Sequence, residues 1–168
     1  VFATTQGDVR RNRLSDVTNV RSNGKIAMKL PEGVELVNAR ICSEDDDVML
    51  TTNSGRAIRF ASTDLRVMNS RASTGVRGIR LTGDDMVVSM SVIRHFEATP
   101  EERAAYLKMR RALAGVTDEE AGEDDVPADP NFSQERYEEM AAVENLILTI
   151  TRGGSGKLSS SHEYPGRG

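Results

Sequence analysis

Tryptophan is absent from these 168 residues, aromatic side chains make up 4% of them, and Cys42 is the single cysteine. One thiol cannot form an internal disulfide, so nothing in the chain argues for secretion. The shortage of aromatics leaves little on which to stack bases, which tells against single-stranded nucleic acid as a ligand. No stretch approaches the ~20 apolar residues of a membrane-spanning helix, and no signal peptide opens the sequence. His95, His162 and Cys42 are too far apart to match a metal-ligand spacing. Glu44-Asp45-Asp46-Asp47 lacks the alternating oxygens and central glycine of a calcium loop, and reads as a solvated turn.

Catalytic signatures are equally scarce. Gly153-Gly154-Ser155-Gly156-Lys157 has a leucine after its lysine and a threonine where a phosphate loop needs its first glycine. Ser159-Ser160-Ser161-His162 places hydroxyls beside an imidazole, with no third orienting group and no oxyanion element. No nucleophile, general base or cofactor motif survives.

What the chain does have is repetition. Gly24-Lys25-Ile26-Ala27-Met28-Lys29-Leu30 returns as Gly75-Val76-Arg77-Gly78-Ile79-Arg80-Leu81. An earlier phrase, Ala3-Thr4-Thr5-Gln6-Gly7, returns as Thr51-Thr52-Asn53-Ser54-Gly55, and Thr149-Ile150-Thr151-Arg152-Gly153-Gly154 opens a third copy. A period near 50 residues marks an architecture of recurring units that bury each other's faces. Alternation predicts strands over Lys25–Leu30, with residues 26, 28 and 30 on one face, and over Glu35–Ser43, Val48–Leu50, Met86–Ile93 and Leu146–Leu148. Gly7, Gly55 and Gly154 fall where hairpin turns belong. Short strands divided by such turns suggest propeller-like blades in a mostly β fold. Val1 already lies inside a strand-like phrase, so the chain reads as a piece of a longer polypeptide.

Between residues 95 and 145 the repeat is interrupted by an acidic, helix-patterned insert. Thr99-Pro100-Glu101-Glu102 is a capping box with proline at the first helical position, and Tyr106, Met109 and Leu113 continue the helix towards a stop at Gly115. A second helix is expected from Ser133 to about Val143, with Tyr137, Met140 and Ala141 on one face. Asp118–Pro130 reads as a mobile loop. The expected organisation is blades over 1–94, an acidic helical hairpin over 95–145, and the start of another blade over 146–168.

The formal net charge of −4 hides a segregation. Residues 1–30 hold six Lys/Arg against two acids, residues 48–81 six against one, and residues 146–168 three against one. The remainder holds seven basic against 22 acidic residues. Positive side chains recur after each turn glycine, as Arg10 and Arg11, Arg59, and Lys157. Others stand before the second phrase (Arg21, Arg71) and inside it (Lys25 and Lys29, Arg77 and Arg80), and Arg13 belongs to the same stripe. Arginine's fork suits phosphate oxygens, and neighbours such as Asn12, Ser73, Thr74 and Gly75 suit close approach of a phosphate chain. A solvated strand face is the plain alternative. The recurrence favours nucleic acid, and duplex backbone over single strands.

Phe2–Arg11, Asn23–Leu30, Ser73–Leu81 and Glu163-Tyr164-Pro165 together resemble the C-terminal domain of the bacterial DNA gyrase A protein. That resemblance implies a six-bladed β-pinwheel whose basic rim wraps duplex DNA. It also implies a role in ATP-dependent negative supercoiling by a type II topoisomerase built with gyrase B and the rest of gyrase A. Catalysis, ATP and magnesium would then be used outside these residues, in a cytoplasmic, nucleoid-associated holoenzyme, with no membrane partner. Carried over, the DNA-binding residues are Arg10, Arg11, Arg13, Lys25, Arg59, Arg77, Arg80 and Lys157. Leu158 departs from the family, which often has a second basic residue there. Two readings stand beside this one: the related topoisomerase IV domain, and a propeller that meets an acidic protein partner.

Overall fold

The computed structural model describes residues 1–20, 22–70, 72–115 and 126–167, which fall into two units. One is Val1–Ile93 with the tail from Gly166, and the other is Arg94–Pro165. The first unit holds β1 (Phe2–Thr4), β2 (Asp8–Arg10), β3 (Leu36–Ala39), β4 (Asp46–Thr52), β5 (Ala57–Ala61), β6 (Val76–Arg77) and β7 (Val87–Arg94). The second holds α1 (Pro100–Leu113), α2 (Gln134–Val143), β8 (Leu146–Ile150) and β9 (Gly156–Ser160). Sheet orders are β3-β1-β2-β6, β5-β4-β7 and β8-β9, so the fold is mostly β with two helices, as expected.

The three turn phrases fold identically. In each, the glycine N–H donates to the carbonyl three residues back: Gly7 to Thr4, Gly55 to Thr52 and Gly154 to Thr151, all at 3.0 Å. The same threonine's Oγ1 then accepts the N–H of the residue after the glycine, Asp8, Arg56 or Ser155. Each glycine sits at φ near +84° (83°, 85° and 84°), a region closed to most side chains. Threonine and glycine at this spacing therefore dictate a hairpin without tertiary help.

What joins the repeats is the segment carrying the second phrase. β6 pairs antiparallel with β2, Asp8 opposite Arg77 and Val9 opposite Val76. Gly78 N–H donates to the Gly7 carbonyl at 2.8 Å. Ile79 is buried in a core shared by both repeats, with Val1, Ala3 and Val9 from one hairpin and Val48, Leu50 and Phe60 from the other. This crossing is close: a Cβ on Gly75 would lie 2.5 Å from the Val9 carbonyl oxygen, and one on Gly78 would lie 2.3 Å from Val9 Cγ2. Gly75 also has φ of +113°. Gly75→Ala is therefore expected to cost about 1–3 kcal/mol in stability, measurable by urea unfolding. A midpoint equal to that of the parent would show that the crossing can relax.

The first copy of the phrase corrects the sequence reading. Residues 25–30 form no strand, and Ile26 is 74% exposed although Met28 is buried. The cause is partnership: the second copy is a strand because β2 pairs with it, and no described strand pairs with the first copy. Elsewhere each expected run meets a strand: the Glu35–Ser43 run shrinks to Leu36–Ala39, while β4, β7 and β8 extend past the runs expected at Val48–Leu50, Met86–Ile93 and Leu146–Leu148.

In the second unit α1 starts on the expected capping box. Thr99 Oγ1 accepts the Glu102 N–H, and the Glu102 carboxylate accepts the Thr99 N–H at 2.8 Å. Ser133 caps α2. The helices meet through Tyr106 stacked on Tyr137 (5.0 Å) and ion pairs Arg136–Glu102 (2.8 Å) and Arg110–Glu144 (3.0 Å). Met140 is buried, whereas Ala141, expected on the same face, and Leu113 are exposed. The expected mobile loop lies outside the described residues over 118–125.

The hydrogen bond from Arg136, then that from the Thr99 N–H, hold the Glu102 carboxyl below its ordinary value of 4.5. A depressed carboxyl stabilises the folded state above the ordinary value, and this contribution is lost as pH falls through the folded one. Amide protection at the start of α1, taken relative to the intrinsic exchange rate at each pH, should accordingly fall below about pH 4.5, and Glu102→Gln should remove that pH dependence.

Candidate nucleic-acid interface

The hairpin register sorts the recurring basic positions into two series on opposite strand faces. Three residues past the turn glycine stand Arg10, Ile58 and Lys157; four residues past stand Arg11, Arg59 and Leu158. Each arginine in these series is held internally. Arg10 is fully buried, its Nε donating to Asn12 Oδ1 at 2.7 Å and its Nη atoms to the Ser73 and Ser70 carbonyls. Burial pulls its pKa down, and the nearby Asp16 charge opposes that shift. Arg59 is buried in an ion pair with Asp47 at 2.6 Å. Arg11 is half-buried, donates to the Ser62 and Leu65 carbonyls, and pairs with Glu44 at 2.8 Å.

These positions correct the expected track: Arg10 and Arg59 present no guanidinium surface to a ligand. The physical reason is that both faces of these hairpins are covered. In a strand covered on both sides, a buried arginine and a solvated one follow the same alternation.

Four of the expected residues are on the surface of the first unit. Arg13, Lys25, Arg77 and Arg80 are exposed, and Lys25 Nζ donates to the Asp16 carbonyl at 2.5 Å. Arg77 and Arg80 have the most deliberate placement. Val76, Ile79 and Leu81 turn into the core while the two arginines between them face outward, and among the described residues no acidic side chain pairs with either. With Thr5, Gln6, Ile79 and Leu81 they line a groove of about 820 Å³.

Asp84 and Asp85 also line this groove, but Asp85 is engaged. Its carboxylate accepts from Ser54 N–H and Oγ and lies 4.0 Å from Arg56 Nη1. Burial raises its pKa, and the hydrogen bonds from Ser54, Thr52 and Met86 more than offset that, leaving it below the ordinary range. Arg56 and Arg66 are further exposed cations that sequence reasoning passed over, because neither recurs from one repeat to the next. Arg21 and Arg71 lie outside the described residues.

Lys157 belongs to the second unit, where it is 72% exposed and pairs with Glu163 at 3.1 Å. Beside it, His162 is buried. Its Nε2–H donates to the Met140 carbonyl and its ring packs edge-on to Tyr106, so the serine–histidine run bolts the helices to the hairpin.

Residues 1–43, 46–94 and 145–168 match the sequence model of the DNA gyrase C-terminal domain, beta-propeller. The chain belongs to this gyrase A family. The DNA gyrase A protein of Granulibacter bethesdensis is 48% identical over 183 aligned residues, which take in 100% of this chain and 20% of that protein. The gyrase A protein of Rickettsia bellii is 43% identical over 98% of this chain and 18% of its own length. The chain thus spans about a fifth of the gyrase A proteins it matches. Among solved structures, the C-terminal domain of DNA topoisomerase IV superposes with a TM-score of 0.52 at 24% identity. That match covers 56% of this chain and 29% of the other, and it shows the shared fold. The gyrase match omits residues 95–144, which include both helices. Among the described residues, no helix is long and apolar enough to cross a membrane.

Proposed function

We propose that this chain binds the backbone of duplex DNA as part of a gyrase A C-terminal domain. In that setting it wraps DNA and supports ATP-dependent negative supercoiling by a cytoplasmic, nucleoid-associated holoenzyme completed by gyrase B. The observation that carries the reading is the placement of Arg77 and Arg80. A segment anchored by Val76, Ile79 and Leu81 presents two guanidiniums outward. Two outward guanidiniums without an acidic partner among the described residues suit phosphate oxygens spaced along a strand.

Arg13, Lys25 and Lys157 are secondary contacts in this reading, and Arg11 contributes charge from the margin of the interface. Contacts made to phosphates carry little sequence preference, so binding is non-specific and strongly salt-dependent. A salt titration of duplex binding, comparing intact gyrase A with its R77A/R80A variant, tests the proposal. Unchanged affinity and slope in the variant would overturn it.

A further inference from the structure

Arg10 is buried and far better bonded than a strand arginine needs to be. Its three nitrogens reach Asn12 Oδ1, the Ser73 carbonyl and the Ser70 carbonyl. Asn12 extends the same network, its Nδ2 donating to the Met68 carbonyl at 2.8 Å, while Met68 N–H donates to the Arg11 carbonyl. Together these bonds tie Met68, Ser70 and Ser73 to the end of β2. The tied segment runs directly into Gly75 and β6, and so into the stretch that carries Arg77 and Arg80. Only a planar fork with several N–H donors can hold these acceptors at once; an ammonium cannot reproduce that geometry.

The hairpin itself does not require an arginine here. Its counterpart in the second hairpin is Ile58, packed against the core, and in the third it is the exposed Lys157. Forming the same turn and strands with such different residues shows that Arg10 serves the tied segment, not the hairpin.

We infer that Arg10 is a positioning residue for DNA binding, holding Ser70 and Ser73 against β2 so that Arg77 and Arg80 stand on a fixed backbone. This inference rests on the proposal that those two arginines touch duplex DNA. It assigns Arg10 a role inside the protein, where the sequence alone had placed it on the ligand. A fixed backbone lowers the ordering cost of each phosphate contact, so loosening it weakens binding without removing a contacting group.

A double-mutant cycle in full-length gyrase A tests this. The variants are Arg10→Met, the milder Asn12→Ala, R77A/R80A, and the combination of Arg10→Met with R77A/R80A. Readouts are duplex affinity against salt, and amide exchange across residues 72–78 and across β4 and β5. Arg10→Met is expected to weaken binding about tenfold, and to add almost nothing once Arg77 and Arg80 are gone. Exchange should rise over 72–78 and stay unchanged in β4 and β5, with Asn12→Ala giving the same pattern at smaller size.

An additive loss in the combined variant would overturn the inference, since Arg10 would then act independently. Unaltered exchange over 72–78 in Arg10→Met, with R77A/R80A weakened, would overturn it while leaving the DNA reading intact. Raised exchange with R77A/R80A binding as tightly as the parent would sink the DNA reading and, with it, the function given to Arg10.

Discussion

Arg59→Leu is expected to lower the unfolding free energy by about 3–5 kcal/mol, whereas D47L/R59L recovers most of that loss. The Asp47–Arg59 pair is 2.6 Å long, and its two side chains are 3% and 4% exposed. Removing one partner leaves a charge buried without its counter-ion, which is the expensive state. Removing both exchanges an ion pair for apolar contact at nearly equal cost.

The third hairpin carries leucine at both corresponding positions, although there each leucine is more than half exposed. Counting from the turn glycines, Asp47 corresponds to Leu146 and Arg59 to Leu158. β8 and β9 keep the same antiparallel register around them, with Leu148 opposite Leu158 as Met49 is opposite Arg59. Both types of pair are thus compatible with one hairpin geometry. Denaturant unfolding of the two variants decides the matter. If the single substitution proves as benign as the double, the pair contributes nothing that leucine cannot replace.

R77A/R80A should weaken duplex binding roughly tenfold to a hundredfold at moderate salt. It should also reduce the slope of log affinity against log salt by about 0.9 for each phosphate that is no longer engaged. Stability should barely change, because both side chains face outward and the anchoring residues Val76, Ile79 and Leu81 remain. D47L/R59L supplies the complementary control. Its fold is restored and Arg59 is a buried structural residue, so its salt slope should equal the parent's. A reduced slope in that variant, or a full slope in R77A/R80A, would place the DNA track elsewhere. The two experiments separate arginines that build the blade from arginines that face its ligand.

That separation is where sequence reasoning reached its limit. The Thr4–Gly7, Thr52–Gly55 and Thr151–Gly154 turns were legible because each is closed by bonds within five residues, and only glycine tolerates the final φ. The α1 start was legible for the same reason: Thr99 and Glu102 satisfy each other's backbone groups locally. Their chemistry is complete within a few residues of chain.

Burial is not local. Arg10, Arg59 and Arg80 are alike in the sequence, each basic and each in or beside an alternating stretch. Arg10 is interior because carbonyls some 60 residues later surround its guanidinium, and Arg59 is interior because Asp47 meets it across a hairpin. Arg80 is outside because Ile79 and Leu81 take the inward positions against the preceding repeat. Likewise, two matching glycine phrases diverge because only the second finds a strand to pair with.

The sequence by itself therefore determined the repeat, its hairpin turns, the interrupting helices and the basic bias of the repeated segments. Only the tertiary structure decided which of those cations are free to meet a ligand. Turn and cap geometry is set by neighbours in the chain, whereas the solvation of a charge is set by distant segments folded over it.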